Sequence, residues 1–148
     1  MILGRTIMSG ERAVMRAGRE LALLRVVPMF APLPGATLER LARNLERLEV
    51  PAGAAIVRQG EAGDRYYVIA DGEVSVTVDG SLVREQGPGE GFGEVALLRD
   101  VPRTASVVAI GPVVLYALDR EAFLEAVTGH PVSRMTADSI VAAHLETA

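Results

Sequence analysis

Residues 91–109 are the part of this sequence whose residue types and spacing suit chemistry. Gly91 and Gly93 open the stretch with Phe92 between them, and Glu94 follows at the head of the short apolar run Val95, Ala96, Leu97 and Leu98. A polar bridge leads to Pro102, Arg103, Thr104 and Ala105, and β-branched residues close the stretch. Glycine lets backbone N–H groups approach an anion closely. Arginine offers a planar fork matched to phosphate oxygens. Glu94 has no lysine or second carboxylate beside it, so it suits accepting a hydrogen bond from a sugar hydroxyl better than moving protons.

The segment Phe92-Gly93-Glu94-Val95-Ala96-Leu97-Leu98, followed by Pro102-Arg103-Thr104-Ala105-Ser106-Val107, resembles the phosphate-binding cassette of the cyclic-nucleotide-binding domain family. The resemblance runs from roughly Phe30 to the C-terminus. It implies that Glu94 receives the ribose 2′-hydroxyl and that Arg103 pairs with the cyclic phosphate. It also implies that the backbone of Val95, Ala96 and Leu97 starts a short helix facing the same phosphate. Phe92, Gly93, Thr104 and Ala105 complete the implied ligand site. In the family a hydroxyl at the position of Thr104 can contact guanine, whereas alanine there accompanies cAMP preference. Threonine also occurs there in relatives that respond to cAMP. The resulting expectation is a purine 3′,5′-cyclic monophosphate, with cAMP favoured and cGMP as the second candidate.

Several elements must position this stretch. Residues 11–27 have helical composition, with Val14, Leu21 and Leu24 on one face, and Pro28 ends that helix. The residues before Ser9 are expected to form a frayed tail, and 30–34 a rigid connector. A second helix fits 38–45, with Thr37 as N-cap. Beyond Arg47 the period becomes alternating. Val50 to Gly53 reads as a turn, 55–57 as a strand and 59–64 as a loop. A strand over 66–70 is closed by Asp71-Gly72, a hairpin signal. Val74, Val76 and Val78 alternate with polar residues, and Asp79-Gly80 makes a second hairpin into 82–86. Strands at 107–110 and 113–118 meet at Gly111-Pro112. Asp119 caps a helix that Gly129 and Pro131 end, and a last helix runs from about 133 to 148. Gly60, Gly63 and Gly72 are assigned to turns.

Short strands with turn signals at near-regular spacing predict a mainly β, α+β domain. With the resemblance, the expected fold is an eight-stranded antiparallel jelly roll with N-terminal helices and two C-terminal helices. The division expected is a linker or coupling helix over 1–29 and the binding domain over 30–148. In the family the last helix can fold over the base as a lid. Simple packing against the sheet is the other reading of that helix.

The sequence has 148 residues, a net charge of -4 and a pI of about 5.2, which argues against a nucleic-acid-binding surface. All fifteen basic residues are arginine, and cysteine is absent, which removes disulfides and thiolate chemistry. No signal peptide or bilayer-length apolar run is read, so the expectation is a cytoplasmic protein without a membrane segment. The glycines at 87, 89, 91 and 93 do not complete G-x-G-x-x-G. His130 and His144 are the only histidines and both fall in the C-terminal helical region, so neither a barrel metal site nor a cofactor is expected. His130 reads as a loop residue and His144 as half-exposed. No catalytic constellation is found, so the expectation is a sensor and not an enzyme. It would signal through its flanking helices to an effector domain or partner protein, with a homodimer left open. The alternative is a degenerate barrel that binds no nucleotide and serves as an interaction module.

Overall fold

Val74 and Val76 are buried while Ser75 and Thr77 are partly exposed, the two-residue period of a strand with one wet face. Strands of this kind recur through a computed structural model that describes the backbone of residues 9–147 and the side chains of residues 18–145. The expectations for residues before Ser9, for Val14 and for Ala148 lie outside the described residues. In chain order the elements are α1 (Ser9–Val26), α2 (Gly35–Asn44), β1 (Glu46–Val50), β2 (Ala55–Val57), β3 (Arg65–Asp71), β4 (Val74–Val78) and β5 (Ser81–Gln86). They continue with β6 (Gly91–Phe92), α3 (Glu94–Arg99), β7 (Ser106–Ala109), β8 (Val113–Asp119), α4 (Arg120–Thr128) and α5 (Pro131–Thr147).

The eight strands form two four-stranded sheets, ordered β1-β8-β3-β6 and β2-β7-β4-β5, with every pairing antiparallel. This is the jelly roll flanked by helices. Asp79-Gly80 is the hairpin expected: Val78 faces Ser81, and both turn residues have positive φ. Asp71-Gly72 is not a hairpin. β3 pairs with β8 and β6, β4 with β5 and β7, so the turn carries the chain from one sheet to the other. Only glycine fits there, because a Cβ on Gly72 would lie 2.4 Å from the Pro112 carbonyl oxygen.

The sequence Arg65 to Asp71 is nearly all apolar because β3 is covered on both faces. Tyr67 and Ile69 point between the sheets with Val74, Val107 and Leu115. Tyr66 and Val68 point out into a helical layer with Leu24, Phe30, Leu38, Phe123 and Ala137. The connector after α1 is a run of turns whose amides bond back to Val27 and Phe30, with Phe30 and Leu33 buried. Thr37 is not an N-cap. α2 starts earlier, behind Pro34, and Thr37 is buried on the face that also carries Leu38, Leu41 and Ala42. Asp119 does cap α4, accepting from the Ala122 amide at 2.8 Å. No described helix is long and apolar enough to cross a membrane.

Candidate functional site

Gly93 turns the chain from β6 into α3 with φ 103, and it is the residue just ahead of the helix. A side chain there would be strained and would have no room. Its Cβ would sit 2.7 Å from Arg103 Nη1 and 3.0 Å from the Arg65 carbonyl oxygen. The turn delivers Glu94 to the start of α3, where it is 2% exposed. The amides of Val95, Ala96 and Leu97 belong to the first turn of a helix, which lacks backbone partners of its own.

Arg103 reaches the same place from the loop between α3 and β7. Its backbone is fixed on both sides by the loop before β3: the Arg103 amide donates to Glu61 O and the Gly60 amide donates to Arg103 O, each at 2.8 Å. Arg103 as a whole is 6% exposed; Nη1 donates to Gly93 O at 3.2 Å and Nη2 to Arg65 O at 2.8 Å. It also lies 6.0 Å from the centre of the Tyr67 ring, which stacks on Phe92. Burial pulls this guanidinium below its ordinary range, opposed by Tyr67, Asp64 and Glu94. Gly63 is more than a turn residue, because a Cβ on it would come within 2.8 Å of both Ala96 Cβ and the Arg103 guanidinium.

Phe92, Gly93, Glu94, Val95, Ala96, Arg103, Thr104 and Ala105 line one cavity, as the sequence grouped them. Leu97 does not. Its side chain turns away into the helical core. Val57, Val76 and Val107 supply apolar wall, and two polar residues join that sequence reasoning left out, Arg84 and His144. The free space among these groups is about 30 Å³, room for a water or two.

His144 is the larger miss. Its Nδ1 donates to Glu94 Oε2 at 2.8 Å, although fifty positions separate the two residues. Nothing local in the last helix signals that contact. Arg84 lies on β5, and burial lowers its pKa while Glu94 and Glu90 act against that. The field of Glu94 also reaches Tyr66, whose hydroxyl is pushed well above the ordinary phenol range, mainly by burial. Among the described residues no group of histidine and carboxylate side chains could hold a metal ion.

One carboxylate and one guanidinium are buried around a small cavity of the jelly roll, a pairing of acceptor and donor suited to a small polar ligand. The chain belongs to the cyclic nucleotide-binding domain family, whose profile matches residues 47–130, more than half of its length. It is 38% identical over 95 residues to a cAMP-dependent protein kinase regulatory subunit of Yarrowia lipolytica, covering 64% of this chain and 25% of that protein. It is 43% identical over 100 residues to a cyclic nucleotide-gated potassium channel of Mesorhizobium japonicum, covering 68% of this chain and 28% of that one. The regulatory domain of Toxoplasma gondii PKA, solved with cAMP, superposes with a TM-score of 0.79 at 26% identity, over 88% of this chain and 51% of that one. The chain spans about a quarter of the length of these curated relatives.

Proposed function

We propose that this domain is a cytoplasmic sensor that binds a purine 3′,5′-cyclic monophosphate, cAMP in preference to cGMP, and signals through its flanking helices to an effector. The observation that carries this reading is the convergence of Glu94 and Arg103, both nearly buried, on one cavity. Glu94 accepts from the ribose 2′-hydroxyl. Arg103 meets the cyclic phosphate with the donors left over from its two carbonyl bonds, a guanidinium having five. The first-turn amides from Val95 to Leu97 add donors to the phosphate. Phe92, Gly93 and Ala105 shape the pocket, and Thr104 stands at its end toward the base.

The helical segment up to residue 29 and α5 are the routes outward, to an effector domain or a partner protein. The domain works as a binding and regulatory module and not as a catalyst. No metal or cofactor enters this reading, and the acidic chain is given no role in nucleic-acid or membrane binding. A homodimer would be compatible with it. On the interaction-module alternative, Glu94 and Arg103 would serve only their contacts to His144, Gly93 and Arg65, and the cavity they share would have no use.

One observation favours cGMP as a second reading. Arg84 and Thr104 line the same cavity. A guanidinium matches O6 and N7 of guanine, whereas adenine presents a donor at that edge.

Calorimetric titration with cAMP and cGMP tests both readings. cAMP is expected to bind more tightly. Arg103→Ala removes one side of a buried charge pairing, a loss of roughly 3–5 kcal/mol or about two to four decades in affinity. Thr104→Ala is expected to weaken cGMP more than cAMP, by about tenfold or less, the size of one neutral hydrogen bond. Binding of neither nucleotide would leave the interaction module standing. A strong cGMP preference that falls in Thr104→Ala would reverse the base assignment, and near-unchanged affinity in a folded Arg103→Ala would remove Arg103 from the phosphate.

A further inference from the structure

We infer that His144 is a latch. α5 holds its imidazole on Glu94 Oε2, and a cyclic nucleotide competes with it for that carboxylate. The inference rests on the ribose role proposed for Glu94, and it assigns the last helix a specific contact through which occupancy of the site is felt.

Three observations carry it. First, His144 Nδ1 is bonded at 2.8 Å to Glu94 Oε2, one oxygen of the carboxylate proposed to receive the sugar hydroxyl. Second, the imidazole stands in the site. His144 lines the cavity with Glu94, Arg103 and Thr104. A nucleotide seated against Glu94 and Arg103 would meet it there.

Third, the contact is built into the helix. Ala137 and Val141 are fully buried, and His144 follows them at helical spacing on the face that α5 presses inward. Release of Glu94 takes a rotation of the imidazole or a movement of the end of α5, and either way the helix end loses this tether. Competition for one carboxylate then becomes a link between ligand and helix. The ligand favours the released helix by its differential affinity for the two states, and the latch lowers apparent affinity by the fraction of molecules it keeps closed.

The test uses the unmodified domain, His144→Ala, Glu94→Ala and the double variant. Two quantities are read: affinity for cAMP and cGMP, and amide hydrogen exchange of α5 without nucleotide. His144→Ala is expected to tighten nucleotide binding by about 10- to 100-fold, the worth of one charge-assisted hydrogen bond. It is also expected to speed exchange at the end of α5. Glu94→Ala is expected to speed that exchange as much, and the double variant no further, because both remove one interaction.

Unchanged affinity together with unchanged exchange in His144→Ala would overturn the latch and leave nucleotide binding intact. Weaker binding in His144→Ala would overturn it too, making His144 a ligand contact. If the unmodified domain binds neither nucleotide, the ribose reading fails on its own, and α5 exchange alone decides whether His144 and Glu94 hold the helix down.

Discussion

Glu94 is a buried carboxylate with one oxygen engaged by a histidine, so any ligand group that meets it must donate. A ribose 2′-hydroxyl can and a 2′-deoxy carbon cannot. A hydrogen bond to a charged group is worth about 1.5–3 kcal/mol. 2′-Deoxy-cAMP should therefore bind about ten- to a hundredfold more weakly than cAMP. Competition titration measures the ratio, and Glu94→Ala should bring it close to one. Equal affinities in the unmodified domain would strip Glu94 of the ribose and leave it only the histidine. Arg103 has a structural duty as well, since Gly93 O and Arg65 O accept from it. Arg103→Ala is thus expected to lower the melting temperature besides abolishing the phosphate contact, and calorimetry of the free domain reads this separately.

The loop ahead of β3 and the turn into α3 set where those side chains stand. Gly63→Ala places a methyl 2.8 Å from both the Arg103 guanidinium and Ala96 Cβ, so the guanidinium and the first turn of α3 must both give way. Nucleotide affinity should fall at least about tenfold, the cost of a displaced charge-assisted bond, with the domain still folded by circular dichroism. Wild-type affinity in that variant would mean that Arg103 has more freedom than its bonds suggest. The cassette was legible in sequence because its parts lie within twenty residues and its glycines and arginine have few other uses in that order. Arg84 was not, for a reason of register. Counting back from the Asp79-Gly80 turn pairs Val76 with Val83 and sends Arg84 outward. A bulge between Val76 and Thr77 makes Arg84 the partner of Val76, which is buried, and brings it to the inner face. Asp71-Gly72 misled for a related reason, since the same dipeptide serves a turn within one sheet or a passage between two. Thr37 had the right chemistry for a cap, but its place on the buried face of α2 took it instead.

Across the whole molecule, ligand and fold are linked. A nucleotide that binds only the native state stabilises it by about 2.7 kcal/mol at a hundred times its Kd. For a domain near 148 residues that is a rise in Tm of roughly 5–10 °C. Thermal melts with cAMP should show it, and adenosine, which offers Arg103 no phosphate, should give little. A shift of equal size from adenosine would mean that the base and sugar carry the binding. The native state being stabilised draws its helical layer from distant parts of the chain. Tyr66 of β3 stacks on Phe123 of α4 at 4.8 Å, and Phe30, from the turns after α1, meets both rings edge-on at 5.6 and 6.2 Å. A fragment cut to begin at β1 would keep every residue of the cassette and lose Phe30, Leu33, Leu38 and Leu41, all buried against that layer. Two aromatic faces would then meet water, an invitation to aggregate. Anyone grafting this domain into another protein as a reporter would have to carry the leading helices with it.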